Sequence, residues 1–186
     1  MIPMYKISGR LGNQMFQIAY IYAQMMRKEV SDIYVQDPAL FSEYEQDIKQ
    51  MYGADIKPID QVAIHVRRGD YVGNEFYVDL STTNYYERAM AEFPDADFLV
   101  FSDDIEWSKQ QKIFSKCEFS TGNEIDDMNM MAGCRGIIMA NSSFSFWSAY
   151  ISPYALKIVC PSVFTLWYAD GKVRTKVPKE WLQIEK

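Results

Sequence analysis

Val62-Ala63-Ile64-His65-Val66-Arg67-Arg68-Gly69-Asp70-Tyr71 runs an apolar, partly β-branched segment directly into a charged turn. Such a run suits a central strand of a parallel sheet, covered on both faces. In open α/β sheets ligands bind beyond the carboxyl ends of the strands, which is where Arg67 and Arg68 fall. Their planar guanidiniums match phosphate oxygens, and Gly69 lets the backbone turn or approach a ligand closely. The chain's single histidine, His65, lies in the same stretch. The alternative reading is a surface Arg–Asp pair at a strand exit.

Downstream of this strand the pattern is regular. Thr83 caps a helix expected to run to about Phe93, with Tyr86, Ala89, Met90 and Phe93 on its apolar face. Phe98–Phe101 reads as a buried strand. Trp107, Gln111 and Phe114 mark a short helix, and Cys117–Phe119 a weaker strand. Ile125, Met128, Met131 and Ala132 mark the next helix, and Gly136–Met139 a strand. A helix over residues 141–151 and a last strand at Lys157–Cys160 complete the series. Strands alternating with helices in this way specify a parallel, right-handed, doubly wound sheet. Pro161 closes it, and the tail from Trp167 to Lys186 is expected to pack back over one face.

Upstream, Tyr5–Ser8 is a short strand candidate. Gly9-Arg10-Leu11-Gly12-Asn13-Gln14 forms a glycine-containing turn, and Met15, Ile18, Ala19, Tyr22, Met25 and Met26 recur at helical spacing. A strand, a glycine loop and a helix N-terminus can hold an anion, or simply form a tight turn capped by Asn13. Ile33–Val35 is a second strand candidate, and a weak helix is expected between Phe41 and Met51. Gly53–Asp60, with Pro58, reads as a linker. The expected division is therefore residues 1–60 and residues 61–186.

Composition narrows the class. At 186 residues the chain can bury a real core, and 48% hydrophobic content excludes a mainly disordered chain. A net charge of −6 argues against a nucleic-acid partner. Cys117, Cys134 and Cys160 lie far apart without metal or redox spacing and read as reduced. With no charged leader and no apolar run of about eighteen residues, a cytoplasmic protein without a transmembrane anchor is expected.

If the sheet is parallel, three polar clusters meet at one edge, because each directly follows a strand: His65–Asp70, Ser102–Asp104 and Asn141–Ser145. Ser142 and Ser143 head a helix, so they either cap it or bind phosphate. Asp103 and Asp104 either cap or accept hydrogen bonds from a base or sugar. Phe146, Trp147 and Tyr150 belong in the core, whereas Phe144 sits close enough to the turn to face a ligand. Paired arginines, a helix N-terminus and carboxylates able to read donor groups describe a nucleoside diphosphate pocket. Guanine, with its N1–H and N2–H₂ donors, is a base that carboxylates read well. No Walker-type loop and no zinc cluster is present.

His65-Val66-Arg67-Arg68-Gly69-Asp70 resembles the H-x-R-R-x-D motif of α-1,2- and α-1,6-fucosyltransferases. Gly9-Arg10-Leu11-Gly12-Asn13-Gln14-Met15-Phe16-Gln17 resembles the G-x-L-G-N-Q-x-F-Q motif of the α-1,2 group, glycosyltransferase family eleven. Phe101-Ser102-Asp103-Asp104 and Asn141-Ser142-Ser143-Phe144-Ser145-Phe146-Trp147 are similar to that family's remaining blocks, in order. The resemblance implies an α/β, GT-B-like fold, with a doubly wound Rossmann-like donor domain preceded by a truncated βαβ acceptor-side segment. The segment is truncated because family members carry more chain between the glycine loop and the arginine block. It further implies an inverting enzyme that moves L-fucose from GDP-fucose to a glycan acceptor, without an essential metal or other cofactor. Carried over by position, Arg67 and Arg68 would hold the β-phosphate and stabilise departing GDP. His65 and one of Asp103 and Asp104 would contact the guanosine. Ser142, Ser143, Phe144 and Ser145 would contact the pyrophosphate, Asn141 joins the donor-binding set, and Gly12, Asn13 and Gln14 would reach the donor from the opposite domain. Asp70 is the candidate base, or else orients the arginines. The shortened first segment predicts an uncovered apolar face and a homo-oligomer formed through it.

Overall fold

The structure, a computed structural model, describes residues 7, 9–27, 37–53, 55–163 and 176–185. The strand candidates at Tyr5–Ser8 and Ile33–Val35 lie outside these residues, apart from Ile7. Helix α1 spans Leu11–Arg27 and α2 spans Glu45–Gly53, the latter preceded by two 3₁₀ turns at Pro38–Leu40 and Ser42–Tyr44. Strand β1 (Ile59–Val66) then leads to α3 (Tyr85–Ala91), β2 (Phe98–Ser102), α4 (Ile105–Lys109) and β3 (Glu118–Phe119). The second half is α5 (Glu124–Gly133), β4 (Cys134–Ile138), α6 (Ser143–Ile151), β5 (Lys157–Pro161) and β6 (Leu182–Ile184).

The six described strands form one parallel sheet in the order β3-β2-β1-β4-β5-β6. Chain order runs outward from β1 to β3, then returns to β4 on the other side of β1, so the topological switch point lies between β1 and β4. Side-chain alternation along β1 serves two cores. Val62, Ile64 and Val66 point to one face, where Tyr85, Tyr86 and Phe114 cover them, whereas Ala63 belongs to the other face with α5 and α6. That second core continues through α1 and α2: Met15, Phe16, Phe41 and Ile48 pack with Phe146, Trp147 and Tyr150. Trp147 is fully buried, stacked on Phe41 and edge-on to Phe16, and truncating such a ring costs about 3–5 kcal/mol. The first segment and the sheet therefore share a core.

Three details differ from the pattern reading. The tail does more than cover a face: Leu182–Ile184 adds a sixth strand on β5, and Ser162 donates its backbone N–H to the Ile184 carbonyl. Trp181, just before it, does pack on the helical face against Phe146. Ile125, read with Met128, Met131 and Ala132 as a marker of α5, lies in the first turn and is 63% exposed, whereas Met128 and Met131 are buried in the core. Asn84, one residue after Thr83, is the N-cap of α3, while the Thr83 hydroxyl accepts from the Tyr85 N–H at 3.2 Å.

Candidate functional site

Register brings the polar clusters together. β1 pairs with β2 so that Val66 lies beside Ser102, and Arg67 and Asp103 therefore leave the sheet as neighbours. Arg67 donates through Nη1 to Asp103 Oδ2 at 2.6 Å and through Nη2 to Asp70 Oδ1. Arg68 donates its backbone N–H to the other oxygen of Asp103 at 2.9 Å, so one carboxylate bridges both arginines. Gly69 makes this possible, since a Cβ there would collide with the Asp103 carboxylate. The Arg68 side chain donates through Nε to Asp104 at 3.2 Å and through Nη1 to the Ser81 hydroxyl at 2.6 Å. Both arginine side chains are largely covered, 10% and 13% exposed, and Asp70, at 54%, is the most open of their carboxylate partners. Asp104 also caps α4, accepting from the Trp107 N–H at 3.2 Å.

Across the switch point stands the head of α6. Ser142 is its N-cap, its hydroxyl accepting from the Phe144 N–H at 3.3 Å. The N-terminal end of a helix favours an anion through its unpaired N–H groups and dipole. The Ser143 hydroxyl donates to Asn13 Oδ1 at 2.7 Å. Gly12 lies so close that an added Cβ would fall 2.5 Å from the Ser143 carbonyl carbon and 2.6 Å from the Phe144 nitrogen. The glycine loop is thus joined to the head of α6 and not held across an open cleft from it. Gln14 turns back to donate to the Gly9 carbonyl at 2.7 Å, tightening the loop.

His65 is 5% exposed, and its ring centroid is 5.3 Å from that of Phe144. Burial, with the charge of Arg67 as a smaller cause, pushes its pKa down to about 3, so the imidazole is neutral. Its Nδ1 has no hydrogen-bond partner among the described residues. Asn141 and Ser145 are buried: Asn141 Nδ2 donates to the Val78 carbonyl at 2.9 Å, and the Ser145 hydroxyl donates to backbone carbonyls of Ala140 and Ser142. These two side chains brace the turn beneath the crevice. Tyr71, whose hydroxyl burial keeps protonated, donates to the Asn141 carbonyl at 2.9 Å and ties the exits of β1 and β4 together.

Pattern reading gave Asp79 and Ser81 no role and read Trp107 only as a marker of a short helix. Asp79 and Ser81 belong to a 3₁₀ turn, Leu80–Thr82, in which the Asp79 carboxylate accepts from the Ser81 N–H at 3.0 Å. An Asx-type turn is readable at Asp79–Ser81, but nothing local connects it to Arg68. Among the described residues no group of three or more His, Cys, Asp or Glu side chains could hold a metal ion. A cavity of about 660 Å³, lined in part by Lys49, Tyr150, Lys157 and Trp181, lies toward the amino-terminal end of β5, away from the arginines.

A doubly wound α/β protein with paired guanidiniums and a helix N-terminus at its switch point belongs to the class of folds that take anionic, nucleotide-type ligands there. The sequence profile of Glycosyl transferase family 11 matches residues 21–185, and the chain belongs to that family. It is 37% identical over 146 residues to an alpha-1,2-colitosyltransferase of Escherichia coli, covering 70% of this chain and 50% of the relative. It is 29% identical over 138 residues to the O-antigen biosynthesis glycosyltransferase WbnK of Escherichia coli, covering 66% of this chain and 44% of the relative. Over 169 residues it is 26% identical to galactoside alpha-(1,2)-fucosyltransferase 1 of Ateles belzebuth, covering 81% and 43% respectively. The chain spans about half the length of the curated relatives it matches. No described helix is long and apolar enough to cross a membrane.

Proposed function

We propose that the chain carries the donor half of an inverting glycosyltransferase that moves L-fucose from GDP-fucose to a glycan hydroxyl, a galactoside 2-OH being the first acceptor to test. The observation that carries this reading is the pair Arg67 and Arg68 beside the head of α6, at the switch point of a parallel sheet. As the sugar–oxygen bond breaks, the pyrophosphate gains charge, and fixed cations and a helix N-terminus aimed at it lower the barrier without a metal. In this reading His65, as a neutral imidazole, and Asp103 or Asp104 meet the guanosine. A phosphate oxygen on Arg67 competes with Asp70 for the same guanidinium, so donor binding releases Asp70 to accept the proton of the acceptor hydroxyl.

The colitosyltransferase similarity favours a second reading in which the sugar is colitose, which is fucose lacking one ring hydroxyl. A third keeps the pocket and drops the turnover, leaving a nucleotide-sugar- or glycan-binding protein. Calorimetric titration with GDP, then GDP-fucose and GDP-colitose, followed by transfer assays on a galactoside panel, separates the three. Parent binding that weakens at least tenfold in Arg67→Ala is the expected result. Failure of the parent to bind GDP would remove the donor reading.

A further inference from the structure

The two arginines are held in different ways. Arg67 gives both terminal nitrogens to carboxylates, Asp103 and the open Asp70, and an incoming phosphate can take the place of either by exchanging one anion for another. Arg68 lies over an aromatic ring, its Cζ 3.6 Å from the ring centroid of Trp107. Its Nε is held by Asp104 at 3.2 Å and its Nη1 by the Ser81 hydroxyl at 2.6 Å, with an Asp79 oxygen 3.8 Å away. Its Nη2 has no hydrogen-bond partner among the described residues. The indole supports the guanidinium from one side, the carboxylate and hydroxyl hold two of its nitrogens, and one nitrogen remains for a ligand.

We infer that Trp107 is a positioning residue of the donor site, which carries Arg68 on its indole face and leaves Nη2 to receive a nucleoside diphosphate. This rests on the donor reading above. An arginine on an unsupported turn samples many rotamers, and a phosphate that recruits it must order it. Stacked on Trp107, Arg68 has lost that freedom in the folded protein, so binding does not bear the cost. The indole also draws the cation electrostatically, an effect that grows as the pair is shielded from water. Asp79 and Ser81 contribute the second edge of the cradle, from a turn that their own hydrogen bonds hold.

The test is calorimetric titration of the 186-residue chain with GDP, for the parent, Trp107→Leu, Trp107→Phe, Arg68→Ala and the Trp107→Leu/Arg68→Ala double variant, with thermal melts run alongside. Trp107→Leu is expected to weaken GDP binding roughly 3- to 30-fold and Trp107→Phe by less. In the Arg68→Ala background Trp107→Leu is expected to add nothing, which a general loss of packing would not reproduce. A Trp107→Leu chain that melts like the parent and binds GDP equally well overturns the inference. So does an effect of full size in the Arg68→Ala background, since the indole would then touch the nucleotide itself. Should Trp107→Leu not fold, Trp107→Phe decides on the same two comparisons. A parent that does not bind GDP overturns the donor reading instead, and the parent titration alone reveals it.

Discussion

His65 shows how one buried side chain couples the site to pH. The unfolded chain takes up a proton on this imidazole near pH 6.5, whereas the folded chain refuses it until about pH 3. The unfolded state therefore binds more protons throughout that window, so stability is complete above 6.5 and declines as the pH falls through it. A His65→Gln variant is expected to lose less of its melting temperature between pH 7 and pH 5 than the parent does, and equal slopes would contradict this. Asp70 makes the opposite kind of prediction. It is exposed and ion-paired with Arg67, so Asp70→Asn removes a competitor for the guanidinium and should tighten GDP binding several-fold while lowering transfer. Weaker GDP binding in titration would show instead that Asp70 is needed to orient Arg67. The residues themselves were legible in sequence as a charged turn after a strand. Their partners were not, because Asp79 and Ser81 come from one 3₁₀ turn and Trp107 from α4, and neither element shares a local periodicity with Arg68.

At the scale of elements the decisive contact is between the first turns of α1 and α6. A glycine is needed at position 12 because another helix's backbone occupies the space a side chain would take. Gly12→Ala should force α1 away from α6, disrupt the Ser143–Asn13 hydrogen bond and destabilise the chain by about 1–3 kcal/mol or more, read by denaturant unfolding. An unchanged midpoint would mean that α1 is free to slide. The pattern reading anticipated both helices, α1 from its spacing, and the family resemblance set the glycine loop across from the donor half. A sequence pattern reports which face of a helix is apolar, but not which neighbour that face will meet. The same limit applies to β6, whose three residues are too short to carry a period and were read as tail.

Across the whole molecule, the question is whether residues 1–60 form a unit apart from residues 61–186. Phe16, Phe41 and Ile48 are buried in the same core as Phe146 and Trp147. A single cooperative unfolding transition is therefore expected, with Phe16→Ala lowering its midpoint by an amount corresponding to about 3–5 kcal/mol. Two separate transitions in far- and near-ultraviolet circular dichroism would support an independent first segment.

The sequence by itself determined the class of fold and the gathering of the site. The apolar run of β1, the alternation of strands and helices after it, and polar clusters placed directly after strands are local properties, and a parallel sheet has only one edge at which to collect them. Tertiary structure alone decided which side chain holds which. The bridge from Asp103 to both arginines follows from the β1–β2 register, the stacking of Arg68 on Trp107 from the path of α4, and the fit of Gly12 from the approach of α6. Each depends on atoms brought together from distant parts of the chain, and the spacing of residues along the sequence carries no record of that distance.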